Sequence, residues 1–463
     1  MSFPAYPAYK ESDVEWLGEV PEHWILTPLK HLALLNPRKS GYEGAIEQLC
    51  SFVPMEKLKT GAVQLDEERP IEEVIGGYTY FEDGDVLQAK VTPCFENKNI
   101  AIAKGLTNGI GFGSSEINVL RPYQGVNTEY LYYRVQENSY MDFCTSSMMG
   151  AGGLKRVPTD VINNFKVATP EIFEQTHIAR FLDHETARID VLFEEQQRLI
   201  ELLKEKRRAV ISHAVTKGLD PMVPMKDSGI EWLGEVPAHW VVCATRRVIR
   251  FIEQGWSPEC ESYPAEEDGW GVLKAGCVNR GIFDSSENKT LPSTLKPIPE
   301  YEVRAGDILM SRASGSPELV GSTALLGPVR ERLMLSDKIF RVHLEEKISS
   351  QFFVWVMNAQ FMRSQIEQAL SGGNGLANNL PQSSLLAFWL AIPPEQEQGA
   401  IAELINEQIG RIDELIAEGE LAVELLQERR SALVSAAVTG KIDVRGWQPP
   451  TSVPTPKLVQ EVV

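Results

Sequence analysis

The sequence predicts an α+β protein built as a pseudo-twofold internal repeat, with two mixed, strand-rich domains separated by two long antiparallel coiled-coil helices. Three observations carry that reading. Residues 11–24 (ESDVEWLGEVPEHW) return at 227–240 (DSGIEWLGEVPAHW) with ten of fourteen identical. Residues 170–220 return at 393–443, so that Arg188-Ile189-Asp190 faces Arg411-Ile412-Asp413 and Ala214-Val215-Thr216 faces Ala437-Val438-Thr439. The stretches between, roughly 25–168 and 241–391, share far less. A constant frame around two divergent inserts suits a protein that presents two recognition surfaces, because function lives in sites grafted on a frame. At 463 residues the chain exceeds a single hydrophobic core. The organisation expected is a first domain at 1–168, a helix at 169–222, a second domain at 223–391, a second helix at 392–443 and a disordered, proline-bearing tail at 444–463.

Taken in chain order, each EWLGEVP-x-HW element brings tryptophans that either dock a partner or fix the entry to its domain: Trp16 and Trp24, then Trp232 and Trp240. His23 and His239 beside them read as neighbours of a packed tryptophan rather than as bases. Inside the inserts, GDVLQAKV (84–91) and GDILMSRA (306–313) place a Gly-Asp turn before alternating apolar residues, as a strand leaving a turn does. Helical patterns at 129–142 and 351–369 each precede a glycine-rich loop, 148–158 and 371–381. The repeated helices follow, after Pro170 and Pro393-Pro394, and end near Lys217-Gly218 and Gly440-Lys441. Their apolar positions step 4-3-4-3: Ile178, Leu182, Glu185, Ile189, Leu192, Gln196, Leu199, Leu203, Lys206 and Val210 in the first. Ile401, Ile405, Gln408, Ile412, Leu415, Gly419, Ala422, Leu426, Arg429 and Leu433 occupy the matching places in the second. That is a heptad seam, and the simplest cover for each stripe is the other helix.

Composition narrows the function classes. There is no apolar run near the ~20 residues of a membrane span and no export signal in the opening residues, so the protein is expected to be cytoplasmic. Six scattered cysteines without CxxC spacing argue for reduced thiols and against a zinc site. The net charge of −19 looks adverse to nucleic acid, yet the inserts are almost neutral and hold 29 of the 45 basic residues. A local basic face therefore remains compatible with an acidic total. No phosphate loop, dinucleotide fingerprint, HExxH or nucleophile-base pairing is present, and Asn36-Pro37-Arg38 stops short of an Asn-Pro-Pro-Tyr adenine methylation motif. No catalytic or metal-ligating residue is assigned. An enzyme in its own right ranks below a recognition protein, and below a coiled-coil scaffold or adaptor without nucleic-acid binding, which is the main alternative.

The order EWLGEVP-x-HW, GDVLQAKVTPCFENKNIAIA, a glycine-rich loop, NFKVATPEIFEQTHIARFLD and a helical repeat, run through twice, resembles the specificity subunit of type I restriction-modification systems. The likeness covers nearly the whole chain except the tail. One departure is PEIFEQ at the first helix start, where the second, PPEQEQ, is closer to the family's Pro-Pro-x-x-Glu-Gln; a different cap is expected there. The resemblance implies that the inserts are target recognition domains, each reading one half of a bipartite, asymmetric sequence in double-stranded DNA, with the helices setting the spacing. It also implies two methyltransferase subunits and two motor-nuclease subunits as partners, with S-adenosylmethionine, ATP and Mg bound by those subunits and no cofactor on this chain.

Base reading needs side chains with fixed donors and acceptors, chiefly Arg or Lys for guanine and Asn or Gln for adenine. The candidates in the first insert are Lys90, Thr92, Asn97, Lys98, Asn99, Lys155 and Arg156. Those in the second are Lys274, Asn279, Arg280, Arg312, Ser314, Ser316, Asn374, Asn378 and Asn379. Lys155, Arg156 and the Asn374–Asn379 cluster stand out because glycine-rich segments allow close backbone approach. Coiled-coil and partner-docking residues are expected at Trp16, Trp24, Ile189, Leu192, Leu199, Leu203, Trp232, Trp240, Ile412, Leu415 and Leu426.

Overall fold

The structure is a computed structural model that describes residues 3–39, 42, 44–151, 153–371 and 378–449. The chain divides into two compact units, one of residues 1–197 and 421–463, the other of residues 198–420. Each has its own apolar core.

In the first unit the insert is closed by pairing its first and last strands, Ile25–Pro28 against Lys166–Thr169. Between them lie two four-stranded sheets. One is antiparallel and has the order β6-β5-β8-β1, from Ile100–Ile102, Val86–Ala89, Ile117–Pro122 and Ala33–Leu35. The other has the order β3-β2-β7-β4, from Glu68–Pro70, Leu49–Val53, Ile110–Gly113 and Thr79–Glu82. Every residue of β5 is buried, and in the turn before it Gly84 sits at φ +92° and hands over to Asp85, whose carboxylate takes two bonds from Arg121 at 2.8 and 2.7 Å. A hairpin, β9 (Met149–Ala151) with β10 (Leu154–Arg156), projects with every described side chain exposed.

The second unit repeats the plan with different residues. Val241–Ala244 closes on Trp389–Ile392. A four-stranded antiparallel sheet has the order β11-β17-β14-β15, from Ile249–Gln254, Ile339–Leu344, Ile308–Ser311 and Thr323–Leu325. A three-stranded sheet has the order β13-β12-β16, from Asn288–Thr290, Gly271–Leu273 and Leu333–Met334. Gly306 takes the same φ of +92° before buried β14, and Asp307 receives Arg341 at 3.2 Å. The patterns at 129–142 and 351–369 each resolve into two short helices, Thr128–Arg134 with Asn138–Ser146 and Ser350–Met357 with Gln360–Ser371. The first pair is broken where the Glu137 carboxylate accepts the amides of Ser139 and Tyr140, a cap that starts a new helix.

The long helices are α1, Ile172–Lys217, and α2, Glu395–Val438. Both stop on a left-handed glycine, Gly218 at φ +74° and Gly440 at φ +75°. The Lys441 amide reaches back to the Ala436 carbonyl at 2.9 Å, which gives α2 a Schellman end. Within each unit the two helices run in opposite senses. In the second unit Lys204 meets Glu420 at 3.9 Å and Arg207 meets Asp413 at 2.8 Å. In the first unit Trp447 packs on Phe181 and His184, and Arg430 reaches Asp190 at 2.9 Å.

Two expectations need correction here. The seam of α1 is covered at Leu182, Thr186, Ile189, Phe193, Gln196, Ile200, Leu203, Arg207 and Val210, whereas Leu192 and Leu199 are 50% and 47% exposed. That of α2 is covered at Ile405, Ile409, Ile412, Ile416, Gly419, Val423, Leu426, Arg430 and Leu433, whereas Leu415 is 50% exposed. One row of each heptad stands as expected and the other lies one residue further on. Adjacent apolar residues at 192–193, 199–200 and 415–416 let either row satisfy the 4-3 spacing, and the burial of Ile200 decides it. The disordered stretch expected from 444 also does not start there, because Val444 is buried and Trp447 packs into the first unit; residues 450–463 lie outside those described.

Candidate nucleic-acid interface

The frame that positions the inserts is the same bonding pattern made twice. In the first unit Glu174, on the first turn of α1, accepts Trp24 Nε1 at 3.1 Å and pairs with His23 Nε2 at 2.8 Å. In the second unit Glu397 accepts Trp240 Nε1 at 3.1 Å and pairs with His239 Nε2 at 2.9 Å. The next residue completes the start of each helix, with Gln175 Nε2 on the Pro170 carbonyl at 2.9 Å and Gln398 Nε2 on that of Pro393 at 3.1 Å. The Glu-Gln pair therefore makes the same bonds at both helix starts, and the difference expected at PEIFEQ does not show in them. Trp24 and Trp240 are 0% and 1% exposed, so they are core anchors; Trp16 stacks on Phe165 at 5.1 Å, and Trp232 stays at the surface. Gly440 and Gly218 touch these anchors: an added Cβ on Gly440 would sit 2.4 Å from Pro21, and one on Gly218 3.2 Å from Trp240.

On this frame the segment leaving each Gly-Asp strand meets the segment leaving each glycine-rich stretch. In the first unit Val91 bridges Arg156, Lys155 N donates to Thr92 Oγ1 at 2.8 Å, and Val157 N donates to the Lys90 carbonyl at 3.0 Å. In the second unit Ala313 bridges Asn379, Ser314 N donates to the Asn378 carbonyl at 3.3 Å, and Asn378 Nδ2 donates to that of Gly315 at 3.2 Å. Residues some sixty positions apart in sequence thus form one surface in each unit: Lys90, Thr92, Lys155 and Arg156 in the first, Arg312, Ser314, Ser316, Asn378 and Asn379 in the second. Asn374 lies outside the described residues.

Several candidates are committed elsewhere. Arg156 makes a two-pronged pair with Glu116, both bonds at 2.8 Å, and its guanidinium holds that carboxyl below the usual range. Lys98, at φ +54°, turns inward and donates to Ser431 of α2 at 2.9 Å; burial pulls its ammonium pKa down. Asn97 and Asn99 share that turn, through amide bonds to the Pro93 and Cys94 carbonyls. Lys274 pairs with Glu287 at 3.6 Å. Asn279 sits in the adjoining turn, where Ile282 N bonds its carbonyl, and Arg280 lines a cavity of about 210 Å3 with Arg207, Asp413 and Trp355. Arg312 donates to the Asp337 carbonyl at 3.0 Å over the Phe340 ring. Its guanidinium keeps further donors for a ligand.

A cleft of about 500 Å3 in the first unit is lined by Arg38, Lys39, Tyr78, Tyr80, Lys90 and Ser115 among others, of which sequence reasoning offered only Lys90 as a contact. Arg38 belongs to a short segment whose neighbours in sequence gave no sign of it. The six cysteines are free, and burial pushes the thiols of Cys50, Cys144 and Cys277 up, to about 11, 12 and 12. Among the described residues no helix is long and apolar enough to cross a membrane.

No family model matches the sequence. The EcoEI specificity subunit of the type I restriction enzyme of Escherichia coli is 29% identical over 511 residues, covering 93% of this chain and 85% of its own. The EcoKI specificity subunit of Escherichia coli K12 is 21% identical, over 93% of this chain and 91% of its own. The chain is a homologue of type I restriction enzyme specificity subunits. A chain solved in a study of assembly and conformational transition of the type I R-M system superposes with a TM-score of 0.70, covering 90% of this specificity-subunit homologue and 98% of itself at 15% identity. The HsdS subunit of Thermoanaerobacter tengcongensis gives 0.51 at 16% identity, over 91% and 98%. These two matches concern the fold. The kinship does not favour a scaffold unrelated to nucleic acid.

Proposed function

We propose that the chain is the DNA sequence-recognition subunit of a type I restriction-modification complex, each unit reading one half of a bipartite target and the long helices setting the distance between the halves. The observation that carries the reading is a constant frame with a changed surface. Glu174 and Glu397 hold their tryptophan and histidine in the same way, while the surfaces they support present lysine and threonine in one unit and asparagine, serine and arginine in the other. Two readers of different chemistry on one geometry suit an asymmetric target.

In this reading the chemistry belongs to partners: two methyltransferase subunits carrying S-adenosylmethionine, and two motor-nuclease subunits carrying ATP and Mg. Leu192, Leu199 and Leu415, left out of the seams and exposed, supply apolar surface on the helices for docking them. The complex works in the cytoplasm. Mixing the purified chain with its methyltransferase subunit and duplex DNA tests the proposal. Sequence-specific methylation should require both proteins. Methylation by the isolated chain, or methylation by the pair with no sequence preference, would overturn it.

A further inference from the structure

The 500 Å3 cleft of the first unit is lined by three cations, Arg38, Lys39 and Lys90, and by no carboxylate, in a chain whose net charge is −19. It lies at the ends of both sheets, between the turn after β1, the start of β4, the end of β5 and the β7–β8 connection. Both of its key cations rise from fixed backbone. Lys90 is tied by its amide to the Glu116 carbonyl and by its carbonyl to the Val157 amide, each at 3.0 Å. Arg38 follows Asn36, whose left-handed turn at φ +51° is pinned at three points. Its amide bonds the Val119 carbonyl at 2.7 Å, its Oδ1 accepts the Val119 amide at 2.9 Å, and its Nδ2 donates to Asn118 Oδ1 at 3.1 Å. Pro37 then restricts the chain further. Among the described residues neither the Arg38 guanidinium nor the Lys90 ammonium has a hydrogen-bond or ion-pair partner, whereas Lys39 donates to the Gly76 carbonyl at 2.9 Å. Arg38, on a rigid support and without such a partner, and Lys90, whose charge also acts on the Glu116 carboxylate that Arg156 engages, keep donors for an anion from outside the chain.

We infer that this cleft is a DNA-contact site of the first unit, with Arg38 and Lys90 as the contacting cations. The inference rests on the function proposed above and deepens it. A duplex suits the site better than a single small anion, because the basic surface continues past the cleft: Val157 joins Lys90 directly to the strand that carries the exposed Lys155. Phosphates spaced along a strand would engage such a run.

The test uses the full chain with its methyltransferase subunit and a duplex containing the methylated target. Affinity is measured across a salt series for wild type, Arg38→Ala, Lys90→Ala and the charge-preserving Arg38→Lys. Each alanine variant should bind about tenfold more weakly with a shallower salt dependence, since each removes a contact to polyanionic DNA. Arg38→Lys should keep the wild-type salt slope. Both alanine variants should still assemble with the methyltransferase subunit, which separates lost contact from lost folding. Wild-type affinity and slope in both alanine variants would overturn the inference and leave the proposed function intact. Failure of the wild-type complex to bind any duplex would instead remove the proposed function, and this site with it.

Discussion

Glu174 and Glu397 do the same work in different surroundings, and the difference is measurable. Glu174 takes Tyr6 Oη at 2.7 Å in addition to Trp24 and His23, and its side chain is only 9% exposed; among the described residues no tyrosine bonds Glu397, which is 27% exposed. Burial and the neighbouring carboxylate push the Tyr6 phenol far above its ordinary value, so it remains a donor. Removing a carboxylate strands buried donors, each costing roughly 1–3 kcal/mol. Glu174→Ala should therefore lower unfolding stability by about 2–3 kcal/mol and Glu397→Ala by about 1 kcal/mol. Denaturant unfolding of the two variants checks the ranking, and equal losses would mean that Tyr6 adds nothing. At this scale the sequence was legible where a motif recurs: the repeat located Trp24, His23 and their doubles. It was illegible where partners meet through the sheet. Arg156 met the criteria for a reader, yet Glu116, forty positions away, occupies it. Lys98 looks like a loop lysine until its turn is seen to face α2. Arg38 figured only as the end of an incomplete methylation motif, because its setting is made by Asn118 and Val119, which only the fold brings near.

The elements were easier to read than their contacts. Both long helices, the Gly-Asp turns and the strands after them follow from periodicity and turn chemistry, and the left-handed glycines stand where the helix repeats end. The covered row of the seam was the point of failure, for a physical reason: a heptad pattern with apolar neighbours at 199–200 permits two registers, and only packing chooses. A paired substitution tests the choice. Ile200 is 6% exposed and Leu199 47%. Ile200→Ala should cost about 2–5 kcal/mol, as large-to-small changes in a packed interior do, whereas Leu199→Ala should stay under about 1 kcal/mol. Thermal unfolding of the two variants distinguishes the registers, and a larger loss at Leu199 would restore the row first expected.

For the whole molecule, the decisive property is that a repeated frame carries two surfaces that differ. Each unit has its own core, its own closing strand pair and its own helix-start latch. A unit held in this way can change its insert without rebuilding the frame, which is the physical content of independent reading. The measurement that bears most directly on this is a domain exchange. Residues 25–168 are replaced by the corresponding insert of a homologous specificity subunit, the chain is expressed with its methyltransferase partner, and the methylated sites are sequenced across a genome. The account predicts that one half of the recognised sequence changes to that of the donor while the other half is retained. A change in both halves, or in neither, would contradict it.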